Sequence, residues 1–293
     1  MTSGPGARAG LYDRVAEETA SIVIRRYSTS FGAAARLLEP VVRQHVENIY
    51  ALVRLADEIV DGEAAAAGLS IADAAQVLND LESETELAMG RGYSSNLVVH
   101  AFALTARETG LDRSLTAPFF GSMRSDLSEV ERDEASFDAY VYGSAEVVGL
   151  MCLRVFLHGT SRSRAETEEL ETGARALGAA FQKVNFLRDL AADFRDLGRS
   201  YFPGIRVDSF TDADKNRLLD DIEVDLRTAA AALRKLPPGS RRAVALAQSL
   251  FADLARRLRA TPADRIANTR VRVPNPTKLR IAAAAALGRT PRP

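Results

Sequence analysis

Apolar residues recur at three- and four-residue steps along most of the chain, and the period-2 alternation of half-buried strands is almost absent. Pro40 stands where a first-turn proline belongs. Behind it Val42, His45, Val46, Ile49, Val53, Ala56 and Val60 mark the apolar stripe of a helix over 41–60. Asp61-Gly62-Glu63 ends that helix. The same reasoning predicts helices over 71–89, 95–109, 136–157, 163–197, 212–236 and 241–259. Between them lie Gly90-Arg91-Gly92, the stretch from Gly198 to Asp208 around Pro203, Pro237-Pro238-Gly239 and Val273-Pro274-Asn275-Pro276, none long or polar enough for an inter-domain linker. The pattern predicts a single all-α domain over 1–293, its core at about 20–285, with short flexible termini.

Composition narrows the class. Apolar residues make 46% and charged residues 26%, as in a folded globular chain. With 38 Lys and Arg against 39 Asp and Glu, no positive excess exists to neutralise a nucleic-acid backbone, so no nucleic-acid partner is expected. Cys152 is the single cysteine, which excludes a disulfide framework or a cysteine metal cluster. None of His45, His100 and His158 has a Glu three residues before it, so the ligand pairs of a di-iron bundle are absent. Residues 1–14 lack the apolar region of a secretory signal, and no run approaches the roughly 18–20 apolar residues of a bilayer span. The expectation is a reduced, soluble, cytoplasmic protein. Residues 234–293 carry 14 basic and 2 acidic side chains, against 24 and 37 in the rest. Such a tail is either complementary to its own acidic body or one wall of an anion site, and it leaves a peripheral contact with the inner face of the membrane open.

The chemistry sits on a second, polar stripe of the 41–60 helix. Tyr50, Arg54, Asp57 and Asp61 stand at offsets 0, 4, 7 and 11, one face of an α-helix. The 163–197 helix repeats the scheme with Gln182, Asn185, Asp189 and Asp193 at offsets 0, 3, 7 and 11. Each stripe ends in two aspartates one turn apart, an arrangement that costs a helix about 0.2–0.5 kcal/mol by repulsion. A hard divalent cation relieves it, and Mg²⁺ typically takes one or two carboxylates together with substrate phosphates. A lone Asp-x-x-x-Asp reads first as a solvated acidic face. Two copies, each on a largely apolar helix beside Arg, Asn, Gln or Tyr, read as functional, and if the two helices face each other across a cavity they make two metal-binding walls with room for a diphosphate between them.

Several ordered blocks then carry a resemblance. Tyr27-Ser28-Thr29-Ser30-Phe31 opens the series, followed by the stretch from Ile49 to Asp61. Asp126-Leu127 after Met123 comes next, then Tyr140-Val141-Tyr142-Gly143-Ser144-Ala145 with Val148-Gly149. The most specific block is Gln182-x-x-Asn185-x-x-Arg188-Asp189-x-x-x-Asp193 with Gly198-Arg199-Ser200-Tyr201-Phe202-Pro203, and Arg270-Val271-Arg272-Val273-Pro274 with Lys278-Leu279 closes it. Over about 27–279 the chain resembles the squalene/phytoene synthase family, all-α head-to-head prenyl transferases. The resemblance implies an isoprenoid-synthase-type bundle around a central cavity. It implies Asp57, Asp61, Asp189 and Asp193 as the catalytic, metal-holding carboxylates, with Asn185 assisting. It implies Ser28, Ser30, Tyr50, Arg54, Gln182, Arg188, Arg199, Arg270 and Lys278 as diphosphate contacts. The chain departs from the pattern at Tyr27, where many members have His, and at Phe251, where a Tyr is frequent.

Such enzymes ionise one allylic diphosphate and add a second to the cation, giving a cyclopropyl diphosphate that rearranges and loses a proton (phytoene type) or takes hydride from NADPH (squalene type). The wording of the blocks around Tyr142 and Asp189 is nearest the bacterial phytoene synthases, so the expected reaction is condensation of two geranylgeranyl diphosphates to phytoene in carotenoid biosynthesis. Mg²⁺ is the expected cofactor, with Mn²⁺ as a substitute, and no NADPH is expected. The alternatives are farnesyl diphosphate as substrate (to squalene or dehydrosqualene), prenylation of an aromatic metabolite, or a silent helical binding module. Nothing in the sequence speaks to the oligomeric state. Cys152, between Met151 and Leu153, reads as a core residue.

Overall fold

The computed structural model describes residues 10–128, 132–197, 201–266 and 269–288, the side chains of 191–197 and of Val207 excepted. The helices are α1 (Leu11–Tyr27), α2 (Thr29–Ala35), α3 (Pro40–Val60), α4 (Glu63–Ala66), α5 (Ile71–Arg91), α6 (Leu97–Thr109), α7 (Arg113–Asp126) and α8 (Glu134–Val141), then a π-turn (Tyr142–Glu146). They continue as α9 (Val147–Leu157), α10 (Arg164–Leu197), α11 (Asp212–Leu233), α12 (Pro238–Ala260), α13 (Ala263–Ile266) and α14 (Asn275–Ala286). No strand occurs among the described residues. The all-α expectation holds.

Local chemistry explains the boundaries. Ser28, Ser70, Asn96, Asp112, Asp133 and Thr211 each accept a backbone N–H of the first turn that follows, and Pro40 opens α3. Besides helices that the sequence expectation lacks, such as α1, α7 and α14, two stretches depart from it. The packed region starts before residue 20, because α1 buries Ala16 and Ala20 fully. The helix predicted over 136–157 is not regular: at the π-turn the Val147 N–H reaches back to the Tyr142 carbonyl, inserting a wider turn between α8 and α9.

Among the described residues two large hydrophobic cores, with two smaller clusters beside them, share the bundle. One gathers Ile49, Leu52, Leu78, Phe102, Phe119, Phe120 and Met151 from α3, α5, α6, α7 and α9. The other gathers Val184, Leu187, Leu219, Ile222, Leu250 and Leu258 from α10, α11 and α12. The two helices with acidic stripes therefore belong to different cores. The segment from the π-turn through α9 joins them, packing on α3 and α7 on one side and on α10 on the other. By length and composition Glu134–Leu157, with an 18-residue window of mean hydropathy 1.4, is apolar enough to cross a membrane, so the sequence expectation needs that correction. In this fold the segment serves as the joining core helix.

Glycines set the distance across that joint. A Cβ on Gly178 of α10 would stand 2.5 Å from the Ala145 carbonyl oxygen, and one on Gly149 of α9 would stand 2.5 Å from the Ala174 carbonyl oxygen. Both obstacles are backbone and cannot swing away. Gly178→Val is expected to cost about 1–3 kcal/mol by overpacking, read as a Tm lowered by several degrees. Gly90→Ala, with open space at its Cβ, is expected to leave Tm level or slightly higher.

Candidate active site

The first stripe occupies the C-terminal half of α3. Tyr50, Arg54 and Asp57 are half-buried and Asp61 is exposed, where it caps the helix with its N–H on the Asp57 carbonyl at 2.8 Å. Burial first, and the charge of Asp61 second, push the Asp57 carboxyl up to about 8; Asp126 and Glu58 push the same way and Arg54 opposes them. The Arg54 Nε donates to Glu58 Oε1 at 2.7 Å, and its guanidinium lies over the Tyr27 ring, 4.5 Å from the centroid. Burial also raises the Tyr50 phenol, which has Ser28 as a hydrogen-bond partner.

The second stripe runs along α10, where Gln182, Asn185, Arg188 and Asp189 are all half-buried. Asp189 Oδ1 accepts from Arg188 Nε at 3.0 Å, and Arg270 pairs with the same carboxylate through Nε at 2.8 Å and Nη2 at 3.2 Å. Two guanidinium groups thus share one aspartate, one of them brought from 81 residues away. Lys278 does not join it. Asp193 is carried on α10, but its side chain lies outside the described residues, as does all of Arg199. Ser30, on α2, is half-buried.

The stripes are tied together at both ends. Phe31 of α2 packs on Tyr50 at 6.4 Å, on Phe181 beside Gln182 at 5.5 Å and on Phe251 at 5.6 Å, so the first residues of the two stripes flank one ring. Phe251 stacks on Phe181 at 4.0 Å, giving an aromatic wall where a hydroxyl is frequent in the family. At the carboxylate end Asp126, which acts on Asp57, accepts from the Tyr140 hydroxyl at 2.7 Å and from Arg132 Nη2 at 3.1 Å. The Arg132 guanidinium lies 3.9 Å from the centroid of the Tyr140 ring, and Tyr140 packs on Phe186 of α10 at 5.8 Å.

This buried Asp126–Arg132–Tyr140 group received no role in the sequence reading. Asp126 and Tyr140 fall in motif blocks, but Arg132 sits in a short polar run that reads as a loop. Burial first, and Asp126 second, hold the Tyr140 phenol well above its ordinary value, so it stays a protonated donor. Cys152 behaves as the core residue expected: burial pushes its thiol up to about 12, far from a reactive thiolate. A cavity of about 490 Å³ between α6, α7, α9 and the start of α10 lies elsewhere, with none of the expected site residues in its lining.

Among the described residues no three His, Cys, Asp or Glu side chains gather into a metal cluster. The donor chemistry nevertheless fits a hard cation. Asp57 and Asp61 offer oxygen ligands only, and the proton Asp57 retains reflects its burial first and the charge of Asp61 second. The second aspartate stripe meets the same demand for positive charge with Arg188 and Arg270.

The fold has close relatives among solved structures. A dehydrosqualene synthase superimposes with a TM-score of 0.76 at 20% identity, covering 94% of this chain and 97% of its own. A squalene synthase from Alicyclobacillus acidocaldarius gives 0.72 at 18% identity, covering 87% and 98%. The class is therefore the all-α isoprenoid-synthase fold. The squalene/phytoene synthase family matches residues 24–277, and the chain belongs to this family of prenyl transferases. Among its relatives are the 15-cis-phytoene synthase of a Paracoccus species, 28% identical over 82% of this chain and 81% of that protein, and the chloroplastic phytoene synthase 3 of Zea mays, 35% identical over 66% of this chain. The match spans 44% of the Zea mays protein, less than half its length.

A carboxyl raised in the fold is one the folded state keeps protonated, so it supports the fold below its ordinary range and loses that support as pH rises through its folded value. For Asp57 the window runs from about pH 4 to about pH 8. In EDTA the Tm is expected to fall by a few degrees across that window, solvent beside the half-open carboxyl keeping the effect to about 2 kcal/mol or less. Asp57→Asn is expected to flatten the slope in a thermal-melt series, and millimolar Mg²⁺ to reduce it.

Proposed function

We propose that the chain condenses two geranylgeranyl diphosphates head to head, through the cyclopropyl prephytoene diphosphate, to phytoene for carotenoid biosynthesis. Two acidic stripes tied to one aromatic ring, each with an arginine at hand, are the observation that carries this reading. The phytoene synthases of Paracoccus and Zea mays among the relatives support the substrate.

Asp57 and Asp61 on one side, and Asn185, Asp189 and Asp193 on the other, are the residues assigned to hold Mg²⁺, or Mn²⁺ in its place. Bound there, the metal supplies positive charge to the leaving diphosphate. Ser28, Ser30, Tyr50, Arg54, Gln182, Arg188, Arg199, Arg270 and Lys278 are assigned to the diphosphates themselves. Arg188 and Arg270, which neutralise Asp189 here, are free to turn to a diphosphate when that carboxylate has another cation. The C1–O bond of the first substrate breaks with its electron pair on the diphosphate, and the double bond of the second attacks the allylic cation. Proton loss closes the cyclopropane, and after the second diphosphate departs and the ring rearranges, another proton loss gives phytoene without a reductant. Phe31, Phe181 and Phe251 offer π faces and no nucleophile to such cations. In this reading the enzyme works in the cytoplasm. Exposed Leu279 and Leu287 of the C-terminal segment, beside Arg272 and Arg280, are its contact with the inner face of the membrane.

Purified protein with Mg²⁺ and geranylgeranyl diphosphate is expected to release phytoene, identified by mass spectrometry, with no NADPH present and none after chelation. Consumption of farnesyl diphosphate alone, or turnover only with an aromatic acceptor, overturns the substrate; no turnover with any prenyl diphosphate from C10 to C20 leaves the silent helical module. Asp57→Ala and Asp189→Ala are each expected to lower the rate by roughly a thousand-fold or more while helical content by circular dichroism stays at the wild-type level.

A further inference from the structure

Arg54 is held in a way that its position in the stripe does not require. Its guanidinium has Glu58 along one edge and the Tyr27 ring against one face, 4.5 Å from Cζ to the centroid. Among the described residues Nη1 has no protein acceptor, and the side chain as a whole keeps 29% of its surface exposed, so one edge of the planar group is unclaimed. The ring itself is placed by the break between α1 and α2. Ser28 adopts an extended conformation there, donates its N–H to the Ile24 carbonyl at 3.0 Å and accepts the Phe31 N–H at 3.0 Å. Tyr27, the last residue of α1, is thereby turned toward α3 although 54% of it remains exposed. A large aromatic left half in water, with its hydroxyl bonded to no protein group among the described residues, is not explained by packing.

We infer that Tyr27 is a positioning residue, its ring bracing the Arg54 guanidinium so that the remaining edge meets a diphosphate in a fixed orientation. This rests on the reading of Arg54 as a diphosphate contact. The two braces differ in what they do to an anion. Glu58 fixes the guanidinium but adds a negative charge next to it, which opposes a second anion. The Tyr27 ring fixes the same group and adds none. A face-on ring leaves every N–H edge uncovered, whereas a second carboxylate would occupy the edge the ligand needs. Arginine also loses considerable rotamer freedom when it is immobilised, and a brace that restricts it beforehand removes part of that cost from binding.

The test uses inorganic pyrophosphate with Mg²⁺ as the probe, titrated calorimetrically into the full chain, together with KM and kcat for the prenyl donor. Tyr27→Leu is expected to weaken pyrophosphate about two- to five-fold, the fold-change of an exposed cation–π contact, and to raise KM by a similar factor. Tyr27→Phe, which keeps the face and discards the hydroxyl, is expected to match the wild type. In an Arg54→Lys background, where no planar group remains to brace, Tyr27→Leu is expected to change nothing more. Tm is expected to stay level in all three, since the ring is half in water. Equal loss in Tyr27→Phe makes the hydroxyl the active group and overturns the inference, as does an undiminished effect of Tyr27→Leu in the Arg54→Lys background. If the wild type itself binds no pyrophosphate, the diphosphate reading of the site fails and this inference with it. If it binds and Tyr27→Leu binds equally well, only the brace fails.

Discussion

A carboxyl half withdrawn from water, with a second carboxylate one helical turn away, resists ionisation unless a cation is at hand. This constraint shapes everything around the site. On α3 the conflict is resolved by a proton, which the Asp57 carboxyl retains up to about pH 8. On α10 the half-buried Asp189 carboxylate is met by guanidinium groups, those of Arg188 and Arg270. Similar sequence stripes therefore reach neutrality by different routes. The difference follows from their surroundings: burial weighs first on Asp57, then Asp61, Asp126 and Glu58 with Arg54 in opposition, whereas Asp189 has two arginines within hydrogen-bonding distance.

The architecture makes that tension sustainable. A polar stripe on a helix inside one continuous core would have to be buried or solvated along its length. Here α3 and α10 root their apolar faces in separate cores, and the segment from the π-turn through α9 together with Phe31 of α2 forms the seam between them. Gly149 and Gly178 let the joining segment approach α10 at backbone distance, and Phe31 spans the other end of the seam from α2. The buried Asp126–Arg132 pair fits this picture. Burying two charges is costly, and such a pair persists where geometry and further hydrogen bonds compensate. The Tyr140 hydroxyl supplies one of those bonds, and its ring offers a π face to the guanidinium as well.

What periodicity carries was legible, and what depends on contact was not. The long amphipathic helices α3, α5, α10, α11 and α12 appear in the sequence because each repeats an apolar stripe over several turns, and the two acidic ladders appear because they interrupt that logic at a fixed spacing. Helix α7 was missed because Pro118 stands inside it among serines and threonines, a composition that reads as loop. Helix α14 was missed because its prolines read as punctuation, although one of them lies in the first turn. The π-turn has no periodic signature at all; it becomes intelligible only when Gly143 is seen pressed against the Pro118 carbonyl of α7. Arg132 and Arg270 acquire meaning from partners that only the fold supplies, Asp126 on α7 and Asp189 on α10.

The near-zero net charge conceals a related division of labour. The basic C-terminal part was open to two readings, complement to an acidic body or wall of an anion site, and its ion pairs bear on the first. Lys235 with Glu169, and Arg259 with Asp220 and Glu223, join tail to body on the surface. Exposed pairs of that kind contribute about 0–1 kcal/mol each, so they do not account for so lopsided a charge distribution on grounds of stability. Arg270 differs from them in place rather than in kind: its partner is half-buried on the polar stripe of α10, beside Arg188. The acidic body and the basic tail meet there at the residues with the strongest chemical constraint.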